Sequence, residues 1–368
     1  MINKQTASLK NTVIVLPCDF SACGYIRLID RVRVLSTHYV EQNFLPIISP
    51  RPIFDSNILE TTRAILVQRC YTNQMLKIVS KYFKLKSRFQ YKIIYDIDDM
   101  IFNFDKWQCP KYLPVRELYG DGKAGHIASE IIHMCDAVNV STNSLGECIK
   151  DLGYEGEINL IENVIPLHLY GSSRKGQLLK TLEKPTILYA GSKSHYIQGD
   201  SGDLSPNWLG FLKKNILADK IIFMWMGSCP DFLEDVKDKV KFIPGSGYLD
   251  FPRRLREIHA DFQIGPLVEN WFNSCKSDIK ALQSYATDSV FIGTKFNTIP
   301  GPYDNCKNSV QVDATIDEID KCFWNLTQVD NYNEAINWQR AYLLEKDKYM
   351  ESANAQIAFM KSLCFKNN

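Results

Sequence analysis

The feature that most constrains this chain is a rhythm that runs twice. Short apolar, β-rich runs alternate with helical stretches, which predicts α/β units and parallel sheets. In the first series the strands fall at 13–16, 64–67, 92–95, 137–140 and 158–161. Helical patterns lie between them at 25–39, 73–83 and 145–152, the last ended by Gly153. A polar, patternless stretch at 167–184 then reads as a linker. The second series places strands at 186–190, 221–226, 240–243, 262–265 and 290–293, with helices at 208–215, 232–238, 251–258 and 277–286. A long helical stretch from about 332 to 363 follows.

The expected architecture is two Rossmann-like domains facing a cleft, with ligands at the carboxyl ends of the strands. The boundaries are 1–166, a linker at 167–184, a second domain at 185–331 and a helical C-terminal segment at 332–368. A length of 368 residues is too great for one compact core, which agrees with two domains. No run of eighteen apolar residues is present and the first residues are polar, so the expectation is a cytoplasmic protein with no membrane partner. Eleven cysteines form neither a C-x-x-C pattern nor a disulfide framework and read as reduced thiols. No metal site is expected, and nothing in the sequence requires a divalent cation. A net charge of +1 means that any nucleic-acid partner would need a local basic patch.

Four segments carry chemistry. Gly24, directly after the first strand, either turns the chain or admits a ligand to a helix N-terminus. Arg27 in the first helical turn is unfavourable beside the helix dipole and reads as facing an anion. Asp96, Asp98 and Asp99 repel one another at a strand end unless cations offset them. Asp98 and Asp99 are the catalytic candidates, as a base or an orienting group for an acceptor hydroxyl; capping of the next helix is the alternative. Gly191, Ser192, Lys193 and His195 supply backbone donors and cations suited to a diphosphate. Lys276 follows Asn273 in a loop leading to a helix, which Ser277 or Asp278 can cap.

The segments AGS, KSDIK, VFIGT and YLDFPRRLREIHADFQIGPL in the second half resemble the donor domain of GT-B glycosyltransferases. CGYIR, YDIDDMIF and DAVNVSTNSL resemble the N-terminal half of that family. The combination of AGS-x-x-HY, KSDIK and GPYDNC is similar to glycosyltransferases of tailed phages. The resemblance implies an acceptor-binding first domain, a nucleotide-sugar-binding second domain, and a C-terminal helix that packs back on the first. It implies a UDP-sugar co-substrate held near Gly191, Ser192, Lys193, Gly227, Lys276 and Ser277. Retaining members carry an E-x7-E element; Cys275 and Gln283 stand there instead, and Gln283 can still bond a ribose hydroxyl.

The phage resemblance further implies transfer of glucose or a pentose such as arabinose to 5-hydroxymethylcytosine in duplex DNA, inside the host bacterial cytoplasm. Lys84, Lys86, Arg88, Lys106 and Trp107 are the expected DNA contacts, and a solvated helix end is the other reading of the basic run. The alternatives to a DNA acceptor are a surface polysaccharide or lipid-linked glycan, or a sugar-binding protein without turnover.

Overall fold

The computed structural model describes residues 11–34, 44–102, 123–171, 178–191, 203–227, 230–345 and 355–362. The chain forms two compact units. One comprises residues 1–102, 122–163 and 349–368; the other comprises 103–121 and 164–348.

The first unit holds six parallel strands: β1 (Thr12–Leu16), β2 (Leu45–Ile48), β3 (Thr62–Gln68), β4 (Lys92–Ile97), β5 (Ala137–Val140) and β6 (Glu157–Leu160). Their order is β2-β1-β3-β4-β5-β6. Every residue of β1 and β5 is buried, as expected of strands covered on both faces. β2 was not anticipated: Pro46 interrupts its short apolar run, and proline is tolerated there because β2 is an edge strand. The helix Lys123–Met134 was also missed. The helix Asn73–Phe89 runs six residues past the expected stop at 83 and ends where Gln90 turns left-handed at φ 59°. Thr72 caps its start by accepting from the Met75 amide at 3.2 Å.

The end of the C-terminal segment packs back on this unit, whereas Tyr332, Ala335 and Ile336 of its first part lie in the core of the other unit. Ile357, Phe359 and Met360 of residues 355–362 are buried against Val13, Val15, Leu28, Val32 and Leu66. The single stretch expected at 332–363 is described as a helix over Val329–Glu345 and another over 355–362.

The second unit holds β7 (Thr186–Ala190), β8 (Ile222–Met226), β9 (Val240–Ile243), β10 (Phe262–Gly265), β11 (Val290–Lys295) and β12 (Val310–Gln311). All are parallel, in the order β12-β11-β10-β7-β8-β9. Counted within the unit this is the 3-2-1-4-5-6 order of Rossmann sheets. The two-residue period of the strands divides the core. Ile187, Tyr189, Phe223 and Trp225 join one cluster with Phe211 and Phe323, while Leu188, Met224, Met226 and Phe291 join another with Leu282 and Tyr285. The helix Leu167–Tyr170 lies inside the expected linker and buries Tyr170 in this second cluster. No helix among the described residues is long and apolar enough to cross a membrane.

Candidate functional site

In open parallel sheets, ligands bind outside the carboxyl ends of the strands, where the strand order reverses. That point lies between β1 and β3 in the first unit and between β7 and β10 in the second.

In the first unit the three carboxylates of the β4 terminus are sorted by two arginines. Arg27 and Asp96 are both fully buried and form a two-point pair, Nε to Oδ1 and Nη2 to Oδ2, each at 2.9 Å. The remaining Arg27 nitrogen, Nη1, donates to the Ile161 carbonyl and, at 3.0 Å, to Asn163 Oδ1. Arg27 therefore faces Asp96 and the end of β6, with its donors engaged inside the unit. Gly24 is similarly engaged. Its amide donates to Asp19 Oδ1 at 3.0 Å, and a Cβ there would stand 1.9 Å from the Asp19 carbonyl oxygen. Close approach of its own chain thus accounts for this glycine.

The second arginine, Arg69, follows β3 with a left-handed backbone at φ 48°. Its guanidinium bonds Asp99 Oδ2 and the Cys23 sulfur, and stands 3.9 Å from Asp98 Oδ1. Asp98 is left with the least compensation. Its side chain is 12% exposed, and Oδ1 has no hydrogen-bond partner among the described residues. Burial pushes its carboxyl up to about 6, Arg69 opposes the shift and the Asp99 charge adds to it. A carboxylate so placed can take a proton near neutral pH. Lys106 and Trp107 fall in 103–122, outside the described residues.

In the second unit Gly191 ends β7 and Gly227 ends β8. Gly227 adopts φ 134°, and a Cβ on it would lie 2.4 Å from the Gly191 carbonyl oxygen, so glycine is required for the two backbones to close together. Ser192, Lys193 and His195 lie outside the described residues. Lys280, the last residue of KSDIK, is a site candidate that the sequence does not mark. Its Nζ is buried without a hydrogen-bond partner among the described residues and sits 4.7 Å from the centre of the Tyr189 ring. Burial pulls this ammonium down to about 8, while Asp203 raises it and Lys276 lowers it further. Spacing gave no clue to it, because Lys276 precedes the helix Ile279–Ala286 and the two lysines share no helical face.

Lys276 itself lies 5.0 Å from the Phe272 ring. The helix Ile279–Ala286 has Asp278 at its N-cap position with no side-chain capping bond; Asp278 accepts instead from the Tyr342 hydroxyl at 3.2 Å. Asn273 donates to the Val268 carbonyl at 2.9 Å and to Asp203 at 3.4 Å. The Gln283 side chain lies close enough to the Tyr170 hydroxyl to oppose the upward shift that burial gives that phenol. Cys275, at the first position of the lost E-x7-E element, is fully buried.

Of the expected DNA contacts, Lys84 and Arg88 are exposed on the helix Asn73–Phe89, whereas Lys86 is paired with Asp136. Among the described residues, no group of three or more His, Cys, Asp or Glu side chains is placed to hold a metal ion.

No protein-family model matches the sequence, nor does any curated protein. Solved structures do share the fold. Sucrose-phosphate synthase from Thermosynechococcus elongatus matches with a TM-score of 0.63 at 10% identity, over 97% of this chain and 100% of that one. A glycosyltransferase from Rickettsia africae ESF-5 matches at 0.61 and 11% identity, over 97% and 99% of the two chains. HepE from Anabaena, solved with UDP and glucose, matches at 0.57 and 10% identity, over 96% and 99%. Two six-stranded parallel α/β sheets, matched over nearly the whole length of each of these proteins, identify the fold of this chain as GT-B.

Proposed function

We propose that the chain is a glycosyltransferase that moves a sugar from a UDP-sugar to a hydroxyl acceptor. The observation that carries this reading is Lys280, a buried ammonium without a hydrogen-bond partner among the described residues, in a sheet of Rossmann order. Burying an unpaired charge is unfavourable, and a diphosphate would offset it. Gly191, which like Lys280 lies against the Tyr189 ring, and the Ser192, Lys193 and His195 that follow it are the proposed companions of the phosphates, with Lys276, Ser277 and Gly227. HepE, of the same fold, was solved with UDP-glucose. Gln283 is proposed to bond the ribose.

Asp98 is proposed as the base and Asp99 as the group that keeps Arg69 from neutralising it. In the reaction the acceptor oxygen bonds the anomeric carbon as the bond from that carbon to the β-phosphate oxygen breaks. The hydroxyl proton passes to Asp98, and UDP leaves carrying the added negative charge. The proposed acceptor is 5-hydroxymethylcytosine in duplex DNA, with glucose or arabinose transferred. Its support is the motif resemblance together with the exposed cations Lys84 and Arg88 on the first unit.

The test is incubation of the protein with radiolabelled UDP-sugars and, separately, hydroxymethylated duplex, plain duplex and lipid-linked acceptors. Label on the hydroxymethylated duplex alone is the expected result. Label on the lipid acceptor alone would replace the acceptor, and no transfer from any UDP-sugar would sink the reading.

A further inference from the structure

The helix Asn73–Phe89 carries Lys77, Lys81, Lys84, Lys86 and Arg88, and no acidic residue. Four of these cations are spaced by four, three and four residues, the spacing that places side chains along one face of a helix. All four, Lys77, Lys81, Lys84 and Arg88, are exposed, and none forms an ion pair among the described residues. Lys86 points elsewhere and meets Asp136. An open groove runs beside the ridge, lined by Leu76, Lys77, Ser80, Lys81, Lys84 and Glu130; Glu130 is its one carboxylate.

Neighbouring like charges at these spacings weaken a helix, so the ridge is a stability liability in isolation. The helix dipole favours cations in the last turn and so accounts for Lys86 and Arg88. It does not account for Lys77, in the second turn, or for Lys81, whose Nζ stands 3.9 Å from the centre of the Phe54 ring. An external anion with repeated charge would relieve all four at once.

We infer that this ridge is a docking surface for the phosphate backbone of a nucleic-acid duplex, an inference that rests on the proposed DNA acceptor. The ridge spans about 16 Å from Lys77 to Arg88 at the helical rise, a length over which a duplex carries roughly ten phosphates. The side chains around the cations favour this partner over a lipid surface. Asn73 and Ser87 are exposed beside them, and Phe83 is the one large apolar side chain that the helix exposes. A membrane-bound helix needs a continuous apolar face opposite its charges, and the opposite face here, with Val79, Tyr82 and Phe89, is buried in the unit.

The experiment measures binding of the full chain to a short unmodified duplex between about 50 and 200 mM salt. Neutralising four phosphates contributes a slope of about −3.6 to the logarithm of affinity against that of salt. The Lys77→Ala, Lys81→Ala, Lys84→Ala, Arg88→Ala combination is expected to flatten the slope by about 3 to 4. A second combination, Lys77→Arg, Lys81→Arg, Lys84→Arg, keeps the charges and is expected to keep the slope. An unchanged slope in the alanine combination, equal loss in both combinations, or absence of duplex binding by the parent protein overturns the inference. So does a loss confined to phosphatidylserine vesicles, which would assign the ridge to a membrane. Transfer to hydroxymethylated DNA is measured in parallel. Transfer with a ridge-independent slope removes the ridge and keeps the function, whereas a ridge-dependent slope without transfer removes the function and keeps the ridge.

Discussion

Arg27 closes on both oxygens of Asp96 with neither side chain exposed, and this pair decides what the other two carboxylates of the β4 terminus can do. A two-point arginine–carboxylate bond is among the stronger polar contacts available, and its desolvation is tolerable only while both partners remain. With Asp96 matched by Arg27 and Asp99 by Arg69, Asp98 is the carboxylate whose charge is least compensated.

Arg27→Met should therefore act on folding. It leaves a buried Asp96 without its cation, a class of change that costs about 3–5 kcal/mol. Equilibrium urea unfolding reads this directly, with UDP affinity of the folded fraction unchanged. Loss of UDP binding at full stability would mean instead that Arg27 serves a ligand.

Asp98→Asn should lower kcat by about 100-fold or more, the usual contribution of a positioned base. The pH profile supplies the sharper reading. As the proposed base Asp98 would work deprotonated, so the rate should rise with pH through about 6 and then level. The Asp99 charge raises the Asp98 carboxyl, and Arg69 lowers it. Asp99→Asn removes the first influence and frees Arg69 to strengthen the second, so the acid limb should move to lower pH. Movement to higher pH would contradict this electrostatic arrangement.

Much of the fold was legible in the sequence, and the reason is local. β7, β9 and β10 coincide with the expected runs because each is a short β-rich run stopped by a glycine or proline directly after it, although Lys241 and Gln263 interrupt the apolar pattern of β9 and β10. β2 was illegible because an edge strand tolerates a proline that a central strand does not. The site was less legible, because its logic lies in long-range pairs. Arg27 and Asp96 are 69 residues apart, and Arg69 stands 30 residues from Asp99. Repulsion among Asp96, Asp98 and Asp99 announced that cations must be present, but only folding assigns which cation meets which carboxylate. Lys276 and Lys280 look alike in KSDIK, and burial distinguishes them.

The C-terminal helix gives a test of packing apart from catalysis. Met360 is fully buried in the first unit's core, whereas Leu344 is 62% exposed. Met360→Ala should destabilise by about 2–5 kcal/mol through lost burial and an unfilled cavity. Leu344→Ala should change stability by less than about 0.5 kcal/mol. Calorimetric melting of both variants checks the contrast, and comparable losses would refute the packing of residues 355–362 on this unit.

Lys280→Met should separate stability from function. The buried ammonium opposes folding, because desolvation without a hydrogen-bond partner disfavours its charge. A methionine of similar length fills the same space without that penalty, so the variant should melt at a higher temperature. Donor binding should move the other way: a hydrogen bond to a charged group is worth about 1.5–3 kcal/mol, which corresponds to roughly 10- to 100-fold in UDP affinity. The pH dependence carries the same sign. Burial lowers this lysine from 10.5 to about 8, so the folded chain loses the proton before the unfolded chain does, and stability rises with pH across that window. UDP affinity should fall over the same range, because the cation that would meet the phosphates is being discharged. Calorimetric titration of UDP at pH 7 and pH 9 reads this effect. A drop between the two in the parent protein that disappears in Lys280→Met assigns the phosphate contact to this residue, and an equal drop in both assigns it elsewhere.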